Sequence, residues 1–420
     1  MFADTPPDLA QDLFRRWAKI QSGIRWLDAR ALLLVTPVNL YYTTGKIFSG
    51  CVWLPLSGTP RIFVRRPQTL TGANVHPIRN YEEVPRILTE LGESIGRLAL
   101  ESEELIYGTI MRLANLREKK PPVENAPPAP DAAPAGEAAP PAEPARKRPP
   151  IDGSGLLRKS RCAKTPYELA LMREGGARHA AVVAEFPKLF TPGMTDHAFA
   201  LECEAAVRRA GSLGLFRIFG AGMEAFMGTV LAGDNACAPS PYDFALGGAG
   251  LDPSLPVGQS GVELKPGMTV LADIAYNHRG YLTDCSRAYS IGNPTLDTLR
   301  AHQCCVDILN TVAEYARPGA YCAELHQMAL DMAMASGYAD NFMGLSQKAQ
   351  FVGHGTGLYI NEWPVIGVKS LSSLEAGNVI ALEPKIVLPG VGAVGVEDTF
   401  IITKNGAENI TPCRQDLVVL

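Results

Sequence analysis

Three acidic residues lie in runs of the sequence that are otherwise apolar, and a fourth follows the first of them closely. Asp273 lies within VLADIA and Asp284 follows eleven residues later, while Glu383 ends the run VIALE and Glu397 ends VGVE. An unpaired carboxylate in an apolar strand costs free energy, because burial removes its hydration. We therefore expect each of these acids to face a cation.

A fifth candidate, His354, lies in the glycine-rich run FVGHGTGL at residues 351–358. Four carboxylates balance the charge of two divalent ions, and a carboxylate-rich set with one imidazole suits Mn, Fe or Co better than metals that prefer thiolates. The sequence therefore predicts two divalent metal ions held by Asp273, Asp284, His354, Glu383 and Glu397. Manganese is the first expectation, with cobalt, iron or zinc as alternatives.

The residues between the first two acids contain turn-forming types, namely Asn277, His278 and Gly280. Such residues join antiparallel strands. We expect a hairpin here that lets Asp273 and Asp284 face each other, which is costly for two carboxylates unless a cation lies between them.

The elements that must position these residues form a repeat. Pro192-Gly193 and Pro318-Gly319 are 126 residues apart. Each pair precedes an amphipathic stretch that ends at another glycine, 18 residues after the glycine of the pair. A longer helical pattern comes before each pair, and β-rich sequence follows. Residues 165–420 are therefore predicted to form a duplicated ααββ unit. Thr165, Pro166 and Glu168 give the start signal of its first helix.

The N-terminal part has a different pattern. Residues 1–119 alternate strand-like runs with helical ones, which is typical of a small α/β domain. Residues 120–150 contain eleven prolines and nine alanines and no aromatic residue, so we expect a disordered insertion. Residues 151–164 are predicted to hold the last strand of the N-terminal domain and the junction. The overall fold class is α+β.

Charge and composition exclude several classes of protein. The 39 basic and 43 acidic residues give a net charge of −4, and no basic stripe favours nucleic-acid binding. No apolar run approaches the length of a membrane span. The first residues lack the pattern of a signal peptide, and nine scattered cysteines indicate reduced thiols. We expect a cytoplasmic protein.

The sequence resembles the creatinase/aminopeptidase P/prolidase superfamily, peptidase family M24. ARALLLVTPVNLYYTTG at residues 29–45 is similar to the first strand and turn of the family's N-terminal domain, and LLRKSRCAKTPYELALM at residues 156–172 is similar to its interdomain junction. The five candidate ligands fall on the family's metal positions. The resemblance implies a C-terminal pita-bread fold, a smaller N-terminal domain and a homodimer.

The family's chemistry supplies expected roles. Asp273 would chelate one ion, His354 and Glu383 the other, and Asp284 and Glu397 would bridge the two. The metals of the family activate a bridging water that attacks a peptide carbonyl, and Glu383 is the expected proton acceptor. Asn361 and Glu362, on the family's HE-x-P motif, are the expected substrate-binding residues, Asn361 also acting in catalysis.

The chain departs from the family's Xaa-Pro-specific members at the accessory histidines. Asn361 and Gln350 stand at two of their positions, and Gly395 stands where an arginine is usual. An amide cannot carry a proton at neutral pH. Because acid–base assistance contributes about 10²–10⁴-fold, these replacements weaken the expectation of ordinary Xaa-Pro cleavage.

Three functions remain open. The first is an Xaa-Pro aminopeptidase or dipeptidase acting on short proline-containing peptides through a dinuclear metal centre. The second is lyase or C–N hydrolase chemistry on a small molecule at the same metals. The third is a non-catalytic binding homologue. Five ligands together favour an enzyme, and among the three the metallopeptidase is the principal expectation.

Overall fold

The computed structural model describes residues 1–116, 150–220, 223 and 226–420. They form two compact units, Met1–Ser160 and Arg161–Leu420. The predicted insertion at 120–150 lies outside the described residues, apart from Pro150. In the described part of the chain, no helix is both long enough and apolar enough to cross a bilayer.

The first unit is built on a mixed six-stranded sheet with the order β4-β3-β2-β1-β5-β6. Its elements in chain order are α1 (Pro7–Ile24), β1 (Ala31–Leu34), α2 (Pro37–Thr44), β2 (Ser49–Pro55), β3 (Arg61–Arg66), β4 (Val75–Pro77), α3 (Val84–Glu90), β5 (Leu98–Leu100), α4 (Tyr107–Ala114) and β6 (Ile151–Asp152). Helix α5 (Ser154–Cys162) follows. The α/β character expected of this part is present, since β1 pairs parallel with β5 and antiparallel with β2.

The second unit contains two copies of a helix pair followed by strands. The first copy has α6 (Pro166–Val183), α7 (Asp196–Arg209), β7 (Gly228–Ala232), β8 (Thr269–Ile274), β9 (Tyr276–His278), β10 (Tyr281–Thr283) and β11 (Ser286–Ser290). The second has α8 (Leu296–Tyr315), α9 (Cys322–Ala335), β12 (Phe351–Gly355), β13 (Glu362–Gly367), β14 (Val379–Leu382), β15 (Lys385–Leu388), β16 (Gly392–Gly395), β17 (Asp398–Thr403) and β18 (Gly406–Asn409), and β19 (Val418–Val419) ends the chain.

The predicted repeat is confirmed by these bounds. Helices α7 and α9 have 14 residues each and begin three residues after Gly193 and Gly319 respectively. The start signal of α6 is also present, since the Thr165 side chain accepts a hydrogen bond from the backbone of Glu168 while the Glu168 carboxylate accepts one from Thr165.

Each copy contributes one main sheet and one hairpin. The main sheets have the orders β19-β11-β8-β7 and β13-β12-β14-β17-β18, and the hairpins are β9-β10 and β15-β16. The turn of the first hairpin has Arg279 and Gly280 at positive φ, 51° and 89°, as the type I′ connection requires. The sheets cover a large apolar core formed with α8 and α9 and a second one formed with α7.

The two copies are joined beside β11 by a buried arginine. The Arg287 guanidinium donates to Asp398 Oδ1 at 2.7 Å, to the Glu397 carbonyl at 2.7 Å and to the Arg414 carbonyl at 2.7 Å. Its side chain is 4% exposed and that of Asp398 is fully buried. This network fixes the start of β17 against β11.

Replacing Arg287 by Met should lower the free energy of unfolding by about 3–5 kcal/mol, because it leaves the Asp398 carboxylate buried without its cation. Guanidinium unfolding followed by circular dichroism measures this loss. Arg173→Met is the matched control: it breaks an ion pair with Glu408 in which both side chains are about 40% exposed, so it should change stability by less than about 1 kcal/mol. Equal losses in the two variants would contradict the role given to Arg287.

Candidate metal centre

Each copy supplies two acids from equivalent places. Asp273 lies near the end of β8 and Glu383 directly after β14, in each case just before the hairpin of that copy. Asp284 and Glu397 come directly after the hairpins, just before β11 and β17. The hairpin expected between Asp273 and Asp284 is present, but the expectation that the two acids face each other is not met in the sheet register, because Ser286 is the residue that pairs with Asp273. The duplication therefore brings an acid–hairpin–acid pattern from both halves to one place.

The predicted ligands converge in the structure. His354 Nε2 lies 3.3 Å from Glu383 Oε1 and 3.8 Å from Asp284 Oδ2. Two overlapping groups have ligand atoms within 4.8 Å of one another: Asp284, His354 and Glu397 form the first group, and Asp273, Glu383 and Glu397 form the second. All five residues are thus brought together, while their roles as ligands stay predictions.

A residue missed in the sequence analysis, Lys385, lies at the second group. Its Nζ is 2.7 Å from Asp273 Oδ2, 2.6 Å from Glu383 Oε2 and 3.5 Å from Glu397 Oε2, and its side chain is fully buried. A signal for it exists, because alternate residues of an extended chain point to the same side. Lys385 follows Glu383 by two positions in the otherwise apolar strand KIVL.

The close approach of these groups shifts their pKa values. Burial and the neighbouring Asp273 raise the pKa of Asp284 to about 7, and burial with the nearby Asp284 raises that of Glu397 well above its ordinary value. Burial alone would raise the pKa of Glu383, but Lys385 and His354 lower it to about 2. Asp284 and Glu397 therefore have too little positive charge beside them, whereas Lys385 and His354 compensate the charge of Glu383.

The donor set fits a divalent cation. Glu397 is 1% exposed, and neither of its carboxylate oxygens has a hydrogen-bond partner among the described residues. A buried carboxylate left in that state is expensive. Since His354 and Asp284 lie beside it with ligand atoms at compatible spacing, an ion bound by the first group would satisfy Glu397.

The two predicted substrate-binding residues make other contacts. The Asn361 side chain accepts from the Phe219 backbone N–H at 2.7 Å and donates to its carbonyl at 2.9 Å. Glu362 is buried, and its oxygens accept from Arg161 and Lys164 at 3.0 and 3.1 Å. These contacts give both side chains a structural role. Their roles in catalysis and substrate binding stay predictions.

A cavity of about 800 Å³ lies along β12 and β13 near the histidine, although none of the five predicted ligands lines it. Its wall includes Val365, which pairs with His354 across β12 and β13, and Phe351, whose ring centroid is 6.2 Å from that of His354. Trp363 and Phe244 add aromatic surface and Gln350 adds an amide. The position noted above as lacking a family histidine, Gln350, is thus part of this wall.

Comparisons with known proteins place the chain in a family. Residues 170–404 match Metallopeptidase family M24, and residues 16–126 match the Creatinase/Prolidase N-terminal domain. The first match covers more than half of the chain. The chain belongs to metallopeptidase family M24. The expected superfamily is therefore confirmed, and divalent metal ions are what this family implies for the cluster.

Relatives within M24 carry peptidase names. The chain is 26% identical over 415 residues to "Uncharacterized peptidase YqhT" of Bacillus subtilis, covering 96% of this chain and 99% of that protein. It is 29% identical over 273 residues to "Probable dipeptidase PepE" of Mycobacterium tuberculosis, where the match spans 64% of each chain. It is 33% identical over 157 residues to the Xaa-Pro dipeptidase of Pyrococcus furiosus, covering 37% of this chain and 43% of that one.

Solved structures confirm the predicted pita-bread fold with its N-terminal domain. The Xaa-Pro dipeptidase from Bacillus anthracis superposes with a TM-score of 0.75 at 20% identity, covering 97% of this chain and all of that one. Aminopeptidase P from E. coli gives a TM-score of 0.68 at 17% identity, with 96% of each chain covered. At this level of identity the likeness concerns the fold.

The fold keeps neutral a buried histidine that lies against the hairpin strand β10. His179 on α6 is fully buried, and its Nδ1 lies 3.0 Å from Thr283 Oγ1. Burial lowers the pKa of His179 to about 3. Because the unfolded chain takes up this proton below about pH 6.5 and the folded chain does not, folding stability is lost as pH falls from about 6.5 towards 3.

The His179→Asn variant, which retains a hydrogen-bonding side chain but cannot titrate, should therefore lose less stability than the wild type between pH 7.5 and pH 5.5. The expected difference is about 1.4 kcal/mol, measured by urea unfolding at the two pH values. Val182→Ala on the same helix removes buried surface without removing a titrating group, so it should keep the wild-type pH dependence. An unchanged pH dependence in His179→Asn would contradict the neutral state of this imidazole.

Proposed function

We propose that this chain is a metal-dependent hydrolase of short peptides, of the Xaa-Pro dipeptidase or aminopeptidase type. The observation that supports it most directly is the set of four carboxylates and one histidine gathered at one place, with both oxygens of Glu397 lacking a hydrogen-bond partner among the described residues. The peptidase names of the M24 relatives give the reaction class.

The two ligand groups would serve the two divalent ions that the sequence predicts. Asp284, His354 and Glu397 would hold one ion, with Asp273 and Glu383 on the other side of the shared Glu397. A divalent ion bound in such a site supplies Lewis acidity towards a carbonyl oxygen and acidifies water.

The chain's own residues would orient the substrate and accept the proton released in the reaction. Glu383 is the proposed proton acceptor, with Oε1 turned to His354 and Oε2 turned to Lys385. The cavity near His354 would take the substrate, and the aromatic side chains of its wall would pack against the ring of proline. Asn361 would act by holding the Phe219 backbone in place next to β13.

A second candidate function remains because two amide side chains stand where histidines are expected. Asn361 and Gln350 stand where a proton-carrying histidine is expected in Xaa-Pro-specific members, so lyase or C–N hydrolase chemistry on a small molecule at the same ions is the alternative. Manganese as the ion, a homodimer and a cytoplasmic location stay predictions from the sequence, as does the expectation that nucleic acid and membranes are not partners.

The test loads the metal-free protein with Mn²⁺ or Co²⁺ and measures cleavage of Ala-Pro, Gly-Pro and Xaa-Pro tripeptides, with Ala-Ala for comparison. We expect metal-dependent cleavage that prefers proline. Glu383→Gln should lower kcat by about 10²–10⁴-fold, the usual contribution of a positioned acid–base group. Glu314→Gln, an exposed acid on α8, is the control and should retain wild-type rates.

Two outcomes would argue against the proposal in different ways. Metal-loaded protein that cleaves none of these peptides would favour the small-molecule alternative. Cleavage that is equally fast after prolonged chelation, with no metal found on analysis, would exclude the metal-dependent mechanism itself.

A further inference from the structure

We propose that this site binds one divalent ion, and that the ammonium of Lys385 takes the place of the second. The inference rests on the proposed metal-dependent function and replaces its two ions by one ion and one side chain. It concerns the second ligand group, Asp273, Glu383 and Glu397.

The ammonium contacts every member of that group. Its distances to the Asp273, Glu383 and Glu397 carboxylates are 2.7, 2.6 and 3.5 Å. Two of these are direct hydrogen bonds. The carboxylates that would ligate a second ion are therefore already gathered around a cation that belongs to the chain.

A second ion would have to share those oxygens with Lys385. An ion coordinated by carboxylates lies at about 2.0–2.2 Å from each oxygen, so it would be held close to Nζ and repelled by it. The ammonium has little room to withdraw, because its side chain is fully buried. The backbone of Lys385 is also fixed, since its carbonyl accepts from Met343 at 2.8 Å and β15 pairs with β16.

The balance of charge is compatible with this arrangement. Four carboxylates carry four negative charges, which one divalent ion and one ammonium offset to within a single charge. Two divalent ions together with the ammonium would leave a single positive charge, so the inference rests on the oxygens shared with Lys385 and on the fixed position of its Nζ.

The first group retains a complete ligand set for one ion. Asp284, His354 and Glu397 have ligand atoms within 4.8 Å of one another, and Glu383 Oε1 lies 3.3 Å from His354 Nε2. Glu383 would then face the ion with Oε1 and Lys385 with Oε2. Asp273 would serve to hold Lys385 and would not ligate the ion.

The first test counts ions on the full-length wild-type protein. Metal-free protein is dialysed against excess Mn²⁺, and metal and protein are then measured. We expect one Mn²⁺ per chain at saturation, with the electron paramagnetic resonance signal of an isolated ion. Two ions per chain, or the signal of an exchange-coupled pair, would overturn the inference and leave the proposed function standing. No bound ion at all would overturn both.

The second test removes the ammonium. Lys385→Ala should raise the stoichiometry from one Mn²⁺ to two per chain, because it frees both space and charge among Asp273, Glu383 and Glu397. Lys404→Ala, which removes an exposed lysine far along the chain in the turn after β17, is the matched control and should bind one. A folded Lys385→Ala variant that still binds one ion would contradict the proposal.

A third measurement avoids any change at Lys385. Asp284→Asn and Asp273→Asn are matched substitutions, one on a proposed ligand and one on the partner of the lysine. Asp284→Asn should raise the Kd for Mn²⁺ by about 100-fold or more, and Asp273→Asn by about tenfold or less. Equal losses of affinity would show that both acids ligate an ion, which would overturn the inference.

Discussion

The structure of the second unit depends on how it compensates four carboxylates that are gathered in its interior. Glu383 and Glu397 are at most 4% exposed, and Asp284 is nearly as well buried. Acids this close raise one another's pKa, and burial adds to the effect. The fold supplies Lys385 on one side and His354 on the other, and both oxygens of Glu397 still lack a hydrogen-bond partner among the described residues. An added cation would compensate this carboxylate in its ionised form.

The duplication explains how such a costly arrangement is assembled. An acid followed by a hairpin and a second acid is a local pattern, which one copy can form with contacts of short range in sequence. Two copies that meet near Arg287 then place their acids together without any long loop. The guanidinium of Arg287 bonds the carbonyl of Glu397 and the carboxylate of Asp398, so the same contact that joins the copies also positions one of the acids.

The sequence predicted what periodicity and local chemistry encode. The spacing of Pro-Gly pairs predicted α7 and α9, and the cap residues predicted the start of α6. The apolar settings of Glu383 and Glu397 predicted that these two acids are buried, whereas the side chain of Asp273 is 23% exposed in spite of its apolar setting. The sequence did not predict the task of Lys385, because a single lysine in a strand is usually exposed and only its alternation with Glu383 hinted otherwise. Nor did it predict the contacts of Asn361 with Phe219, since a hydrogen bond between residues 142 positions apart follows from the tertiary fold.

A lysine differs from a metal ion as a source of positive charge. It is present whatever the metal supply, so with Lys385 in place Asp273 and Glu383 are compensated as soon as the chain folds, and only the Asp284, His354 and Glu397 side of the site depends on an external ion. An ammonium donates hydrogen bonds but offers no open coordination position, so it can steady a carboxylate without ligating a substrate. On the proposed one-ion site, orientation of the substrate therefore falls to the single ion and to the wall of the cavity near His354. That wall presents Gln350 where the Xaa-Pro-specific pattern leads one to expect a histidine, so one departure from that pattern lies on the surface that would orient the substrate.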